Sequence, residues 1–101
     1  MQAAYDGYIN IVRVLLFQGA NPNALTGDGS GQTALMFACA SDLASPRIQI
    51  AIVQLLLKYN AYESIKDATS MTACDYAKGN SRNSDELKRV LSNCVDDIPE
   101  L

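Results

Sequence analysis

The chain has 101 residues, 49% of them hydrophobic, which suffices for one small domain with a continuous core. Its net charge of −3, with only eight scattered Lys and Arg residues, excludes a surface built to track a nucleic-acid backbone. Three irregularly spaced cysteines and no histidine argue against a metal site, and no apolar run reaches the roughly 18 to 20 residues of a membrane span.

Apolar residues recur at helical rather than alternating spacing, so the chain reads as all-α. Met1 to Gly7 form the end of a first helix and lack the basic-then-apolar order of a secretory leader. Tyr8 to Gln18 follow as a second helix, with Ile9, Val12 and Leu16 on one face and Ile11 and Leu15 on the adjoining one. Asn21 to Gln32 make a finger in which Gly27, Gly29 and Gly31 permit tight turns. These glycines are no phosphate cradle, because Gln32, Thr33 and Ala34 stand where a Lys and a Ser or Thr would be needed. Thr33 caps a helix over Ala34 to Ala40. Ser41 to Ser45 form a loop, and Ser45-Pro46 starts the next helix, with Ser at the N-cap and Pro at the first helical position. That helix runs to Tyr59 and buries Ile48, Ile52, Leu55, Leu56 and Tyr59 to varying degrees. Lys66 to Met71 are a second, shorter finger, and Thr72 with Asp75 forms a capping box. Gly79 to Asn83 turn the chain into a last helix, Ser84 to Leu91, polar on its outer side through Asp85, Glu86, Lys88 and Arg89. Asp96 to Leu101 read as a solvated acidic end.

Two of these stretches occur twice. Ile11-Val12-Arg13-Val14-Leu15-Leu16-Phe17-Gln18-Gly19-Ala20 aligns with Ile52-Val53-Gln54-Leu55-Leu56-Leu57-Lys58-Tyr59-Asn60-Ala61. Gly and Asn tolerate the left-handed backbone just past a helix end, so Gly19 and Asn60 match for a conformational reason. Asp28-Gly29-Ser30-Gly31-Gln32-Thr33-Ala34-Leu35 likewise aligns with Asp67-Ala68-Thr69-Ser70-Met71-Thr72-Ala73-Cys74. On these residues the chain resembles the ankyrin repeat family, whose units read D-x-x-G-x-T-P-L-H, then I-V-x-x-L-L-x-x-G-A and N-A. The repeat spacing is about 40 residues against about 33 for an ankyrin unit. The surplus falls between Cys39 and Ile52 and between Asn23 and Asp28, where surface loops absorb insertions. The insertion around residues 40–47, Ala40 to Ser45 above all, is expected to be the mobile part of its unit.

The resemblance implies an all-α ankyrin-repeat solenoid of stacked helix–turn–helix units with short hairpin-like fingers over residues 1–93. A partial repeat occupies 1–24, a repeat with an inter-helix insertion 25–65, and a capping repeat 66–93, ahead of an acidic tail at 94–101. The chain departs from the family at T-P-L-H, which reads Thr33-Ala34-Leu35-Met36 and Thr72-Ala73-Cys74-Asp75. Met36 can only pack, so cohesion between units is expected to lean on apolar contacts.

No residues converge for catalysis: there is no His, no nucleophile elbow and no facing carboxylate pair, and Asp6, Asp28, Asp42 and Asp67 fall at turns. No catalytic residue, metal or cofactor is expected. Cys39 and Cys74 read as small core residues, and the odd cysteine count points to a reducing, intracellular, cytoplasmic setting. The resemblance implies a non-catalytic protein–protein interaction module, an adaptor or scaffold holding a partner protein through its finger tips and concave first-helix surface. The positions it implies are Tyr5 and Asp6, Gly29, Ser30 and Gln32, Ala40 and Ser41, Ala68, Thr69 and Met71, and Gly79 and Asn80. Tyr5 and Met71 are the expected anchors. Neither nucleic acid nor membrane insertion is expected. The alternative reading is a C-terminal capping fragment of a longer array, or a regulatory module of a larger protein. Its N-terminal flank would then meet further ankyrin repeats upstream or a second copy.

Overall fold

Every helix start in the described part of the chain except two carries a side-chain cap. The computed structural model describes residues 8–41, 45–80 and 83–91. Among them are helices α1 (Ile9–Phe17), α2 (Ala34–Ala40), α3 (Pro46–Lys58), α4 (Ala73–Lys78) and α5 (Ser84–Val90), and no strand. Thr33 Oγ1 accepts the Met36 N–H at 3.3 Å to open α2, and Ser45 Oγ accepts the Ile48 N–H at 3.3 Å to open α3. Pro46 is the first residue of α3, where its missing N–H costs nothing. At α4 the expected capping box is closed in both directions. Asp75 N–H donates to Thr72 Oγ1 at 3.4 Å and Thr72 N–H donates to Asp75 Oδ2 at 2.9 Å. The helices α1 and α5 have no side-chain cap.

Helix ends repeat bond for bond. Gly19 (φ +95) and Asn60 (φ +70) both take the left-handed conformation. Gly19 N–H donates to the Leu16 carbonyl and Ala20 N–H to that of Leu15; Asn60 and Ala61 do the same to Leu57 and Leu56, all at 2.9–3.0 Å. This is the Schellman arrangement, made twice at equivalent positions. The fingers keep the same register, with Gly31 at φ +65 and its counterpart Ser70 at φ +66.

Two layers result. The first helices α2 and α4 lie against each other, and α3 packs between α1 and α5 in the second layer; α2 pairs with α3 and α4 with α5. Between the layers Leu35, Ala38, Cys39, Ile52, Val53, Leu56, Ala77 and Leu87 are all but inaccessible to solvent. Burial pushes the Cys39 thiol up to about 12, with the Glu63 charge adding to the shift. Cys74 departs from its expected role as a plain core thiol: it is half-buried and disulfide-bonded.

Residues 42–44 of the insertion lie outside the described residues, as does the acidic tail. Ser41, at the insertion's start, is not a loose loop residue. It is wholly buried, and its carbonyl accepts the side-chain N–H groups of Gln49 at 2.9 Å and Asn80 at 3.0 Å. The sequence-based boundaries of α1, α3 and α5 each overran by one residue at the C-terminal end.

Candidate partner-binding surface on the fingers and first helices

Each finger is folded around one aspartate. Asp28 Oδ1 accepts from Ser30 N–H at 3.0 Å and Ser30 Oγ–H at 2.6 Å, and these bonds, with help from Thr26, hold its pKa down at about 2. Asp67 does more. Its Oδ1 accepts from Thr69 N–H at 2.9 Å, Thr69 Oγ–H at 2.7 Å and Met71 N–H at 3.0 Å, while Oδ2 accepts the Tyr76 hydroxyl. The Tyr76 bond is the main reason the Asp67 carboxyl sits well below the usual carboxylate range, and the same bond raises the Tyr76 pKa. Backbone pairs close both fingers, Thr26 N–H to the Gln32 carbonyl and Asp67 N–H to the Met71 carbonyl, each at 2.9 Å.

The fingers are fastened to one another. Ala68 N–H donates to the Ser30 carbonyl at 2.8 Å, and Gln32 Nε2–H donates to Tyr76 Oη at 2.9 Å. Gly31 lies where the fingers come closest: a β-carbon there would sit 3.7 Å from Ala68 N. A relay Gln32–Tyr76–Asp67 therefore crosses between units. This corrects the expectation of chiefly apolar cohesion, because Tyr76 provides a polar link between units that Met36 cannot. Met36 packs as expected, 2% exposed.

Two further bridges support the surface from beneath. The Asn23 carboxamide donates to the Asn60 carbonyl at 3.0 Å and accepts Tyr62 N–H at 2.7 Å. Buried amides tie the end of α2 to the helices behind it. Gln49 Nε2 donates to the carbonyls of Ala38 at 2.8 Å and Ser41 at 2.9 Å. Asn80 Nδ2 donates to those of Cys39 at 3.1 Å and Ser41 at 3.0 Å, and Asn83 Nδ2 donates to Gln49 Oε1 at 3.1 Å. The Gln49 and Asn80 bonds satisfy backbone carbonyls that the end of α2 would otherwise leave open in the interior, and the Asn83 bond holds the Gln49 side chain in place.

Among the positions implied by sequence, Gly29, Ala68 and Thr69 are exposed at the finger tips, and Ser30, Gln32 and Met71 lie half-buried along the fingers. Ala40 is half-buried at the end of α2, and Gly79 is exposed just past α4. Ser41 and Asn80 face inward, 0% and 7% exposed, engaged in the amide network. Tyr5 and Asp6 lie outside the described residues. Sequence reasoning missed Tyr76, Asp67 and Asn23 as the groups that hold the surface together. One signal was available: Tyr76 aligns with Phe37, and a half-buried tyrosine in a phenylalanine position needs a partner for its hydroxyl.

Among the described residues no three His, Cys, Asp or Glu side chains come together as metal ligands, and no helix is long and apolar enough to cross a membrane. In the second-helix layer, a shallow groove of about 390 Å³ runs between α3 and α5, floored by Ile50 and Ala51 and rimmed by Arg47 and Glu86.

The sequence matches the family described as ankyrin repeats (3 copies) over residues 1–97. It is 38% identical over 73 residues to the ankyrin repeat and LEM domain-containing protein 1 homolog of Caenorhabditis elegans. That match covers 72% of this chain and 9% of the relative, so the chain spans a small part of that protein's length. Twice-made Schellman ends, twice-made aspartate fingers and two stacked helix layers agree with these similarities: the chain belongs to the ankyrin repeat family.

Proposed function

We propose that this chain is a non-catalytic adaptor that grips a partner protein along its finger row and the neighbouring edge of the first helices. Ankyrin repeats are in general protein–protein interaction modules, and the observation that carries the reading here is the fastening of one finger to the next. The Ala68–Ser30 bond and the Gln32–Tyr76–Asp67 relay order the row before any partner arrives, so binding loses little further conformational freedom. The partner-facing set is Gly29, Ala68, Thr69 and Gly79, with Ser30, Gln32, Met71 and Ala40 along the flank and Tyr5 and Asp6 completing it on the first unit. Ser41 and Asn80 belong to the support behind this surface. Met71 is the anchor, an adaptable, half-buried apolar side chain at the base of the second finger.

The charge change Ala68→Arg tests this reading at an exposed tip whose side chain is only a methyl group. Partners captured by the unmodified chain are expected to be lost by the Ala68→Arg variant and retained by Arg47→Glu, which lies on the opposite layer, with circular dichroism unchanged in both. Equal capture by both variants would refute it. A second reading, that α5 ends the stack, is favoured by its outward Asp85, Glu86 and Arg89, all exposed while Leu87 is buried.

A further inference from the structure

We propose that Cys74 is joined to Cys94 in a redox-operated clasp that fastens the chain just past α5 to the start of α4. Cys74 is half-buried and disulfide-bonded, in a chain with three cysteines. Cys39 keeps a free thiol, buried between the helix layers, which leaves Cys94 as the partner within the chain. Cys94 lies outside the described residues, and repeat register gives its place. The buried pair Leu87 and Leu91 repeats the buried pair Ile52 and Leu56, so Cys94 falls at the position of Tyr59, just past α3. Cys74 falls at the position of Leu35, at the start of α2. In an antiparallel helix pair the start of the first helix adjoins the end of the second, and Leu35 and Tyr59 belong to one core. A disulfide needs its two Cα atoms within about 7 Å, which two such positions suit.

The helix between these cysteines is the one that most needs a clasp. α5 has seven residues, no side-chain N-cap and Leu87 as its buried residue, whereas α3 has thirteen residues, the Ser45 cap and four buried side chains. So short a helix does not persist on its own propensity. The bridge closes a loop of about 20 residues with α5 inside it, which removes open conformations from the unfolded chain. Its exposure makes it reversible. A dithiol reductant can reach a half-buried cystine, while Cys39 stays sealed in the core. One thiolate of the dithiol attacks a cystine sulfur, breaking the S–S bond and forming a mixed disulfide. Its second thiol then displaces that sulfur. Two electrons and two protons pass to Cys74 and Cys94, which are left as thiols, and the reductant departs as its own disulfide. Closed, the clasp pins α5 on α4; open, it leaves α5 to packing and hydrogen bonds alone.

The test begins with the full chain equilibrated with oxidised glutathione, its free thiols alkylated after unfolding, and digested without reductant. Mass spectrometry is expected to find one cross-linked peptide pair holding Cys74 and Cys94, with Cys39 alkylated. Cys74 recovered alkylated, joined to glutathione, joined to Cys39 or joined to a second copy would overturn the proposal. Amide exchange then reads the clasp. Dithiothreitol is expected to speed exchange at Leu87 and Val90 at least about tenfold and to leave Leu55 in α3 within about twofold. A Cys94→Ser variant should show the fast α5 rates with or without dithiothreitol. Unchanged α5 rates on reduction, slow α5 rates in Cys94→Ser, or an equal acceleration in α3 would each overturn the clasp, since the bridge would then not be what holds α5.

Discussion

Backbone sterics at single positions make the sharpest demands on this fold. Gly19 stands at φ +95 with nothing within 4 Å of where a β-carbon would be, so only backbone strain opposes a side chain there. Gly19→Val is expected to cost about 1 kcal/mol or more in urea unfolding, since a β-branched residue is strongly disfavoured at positive φ. Asn60→Gly, at φ +70, should be neutral or slightly stabilising, and an equal loss from both changes would contradict the repeat register. The finger aspartates make stability depend on acid. Asp28 and Asp67 are both depressed when folded, so their contribution is complete above the ordinary carboxylate value near 4 and is lost as pH falls through the folded values. Tyr76 is raised, so its contribution holds below about pH 10 and fades as pH rises through the folded value. Asp67→Asn should flatten the acid limb of the urea midpoint between pH 5 and 2 and return the tyrosinate absorbance titration of Tyr76 towards normal. An unchanged acid limb would mean that Asp67 does not hold the finger.

Helix starts were legible because capping chemistry is local: Thr33, Ser45-Pro46 and the Thr72–Asp75 box each read from four residues or fewer and each closes as expected. Helix-end conformations were legible for the same reason. The bridges between elements were not. Gln32 and Tyr76 lie 44 residues apart, Asn80 and Cys39 lie 41 apart, and nothing in the local pattern marks which amide will meet which carbonyl. Ser41 and Asn80 show how this misleads, since small polar residues beside a loop read as surface when they serve a buried helix end. Removing that service should be costly. Asn80→Ala strips donors from the Cys39 and Ser41 carbonyls in a dry site, and a loss of about 1–3 kcal/mol is expected by urea unfolding. Faster amide exchange should follow at Ala40 and Ser41, with α1 unaffected; a change within about 0.5 kcal/mol would show that water replaces the amide freely.

At the scale of the whole molecule, a stack is a sum of units and seams, so one substitution weighs differently at its edge and in its interior. Ile52→Ala should cost about 2–5 kcal/mol, as a large core residue does, whereas Ile11→Ala, at the equivalent position but half exposed, should cost well under half as much. Equal losses would mean that α1 is as enclosed as α3. The periodic helices and finger aspartates made this architecture legible, and the exposure of its first edge was foreseeable only in outline, because burial depends on neighbours that a residue pattern does not count. Cys39, buried midway between the layers with its thiol held un-ionised, also gives the fold a built-in clock. Alkylating reagents attack the thiolate, so this sulfur reacts only when α2 and α3 part. The mass-spectrometric rate of labelling at Cys39 thus counts separations of the layers, and a bound partner that braces the fingers would slow it without touching the cysteine.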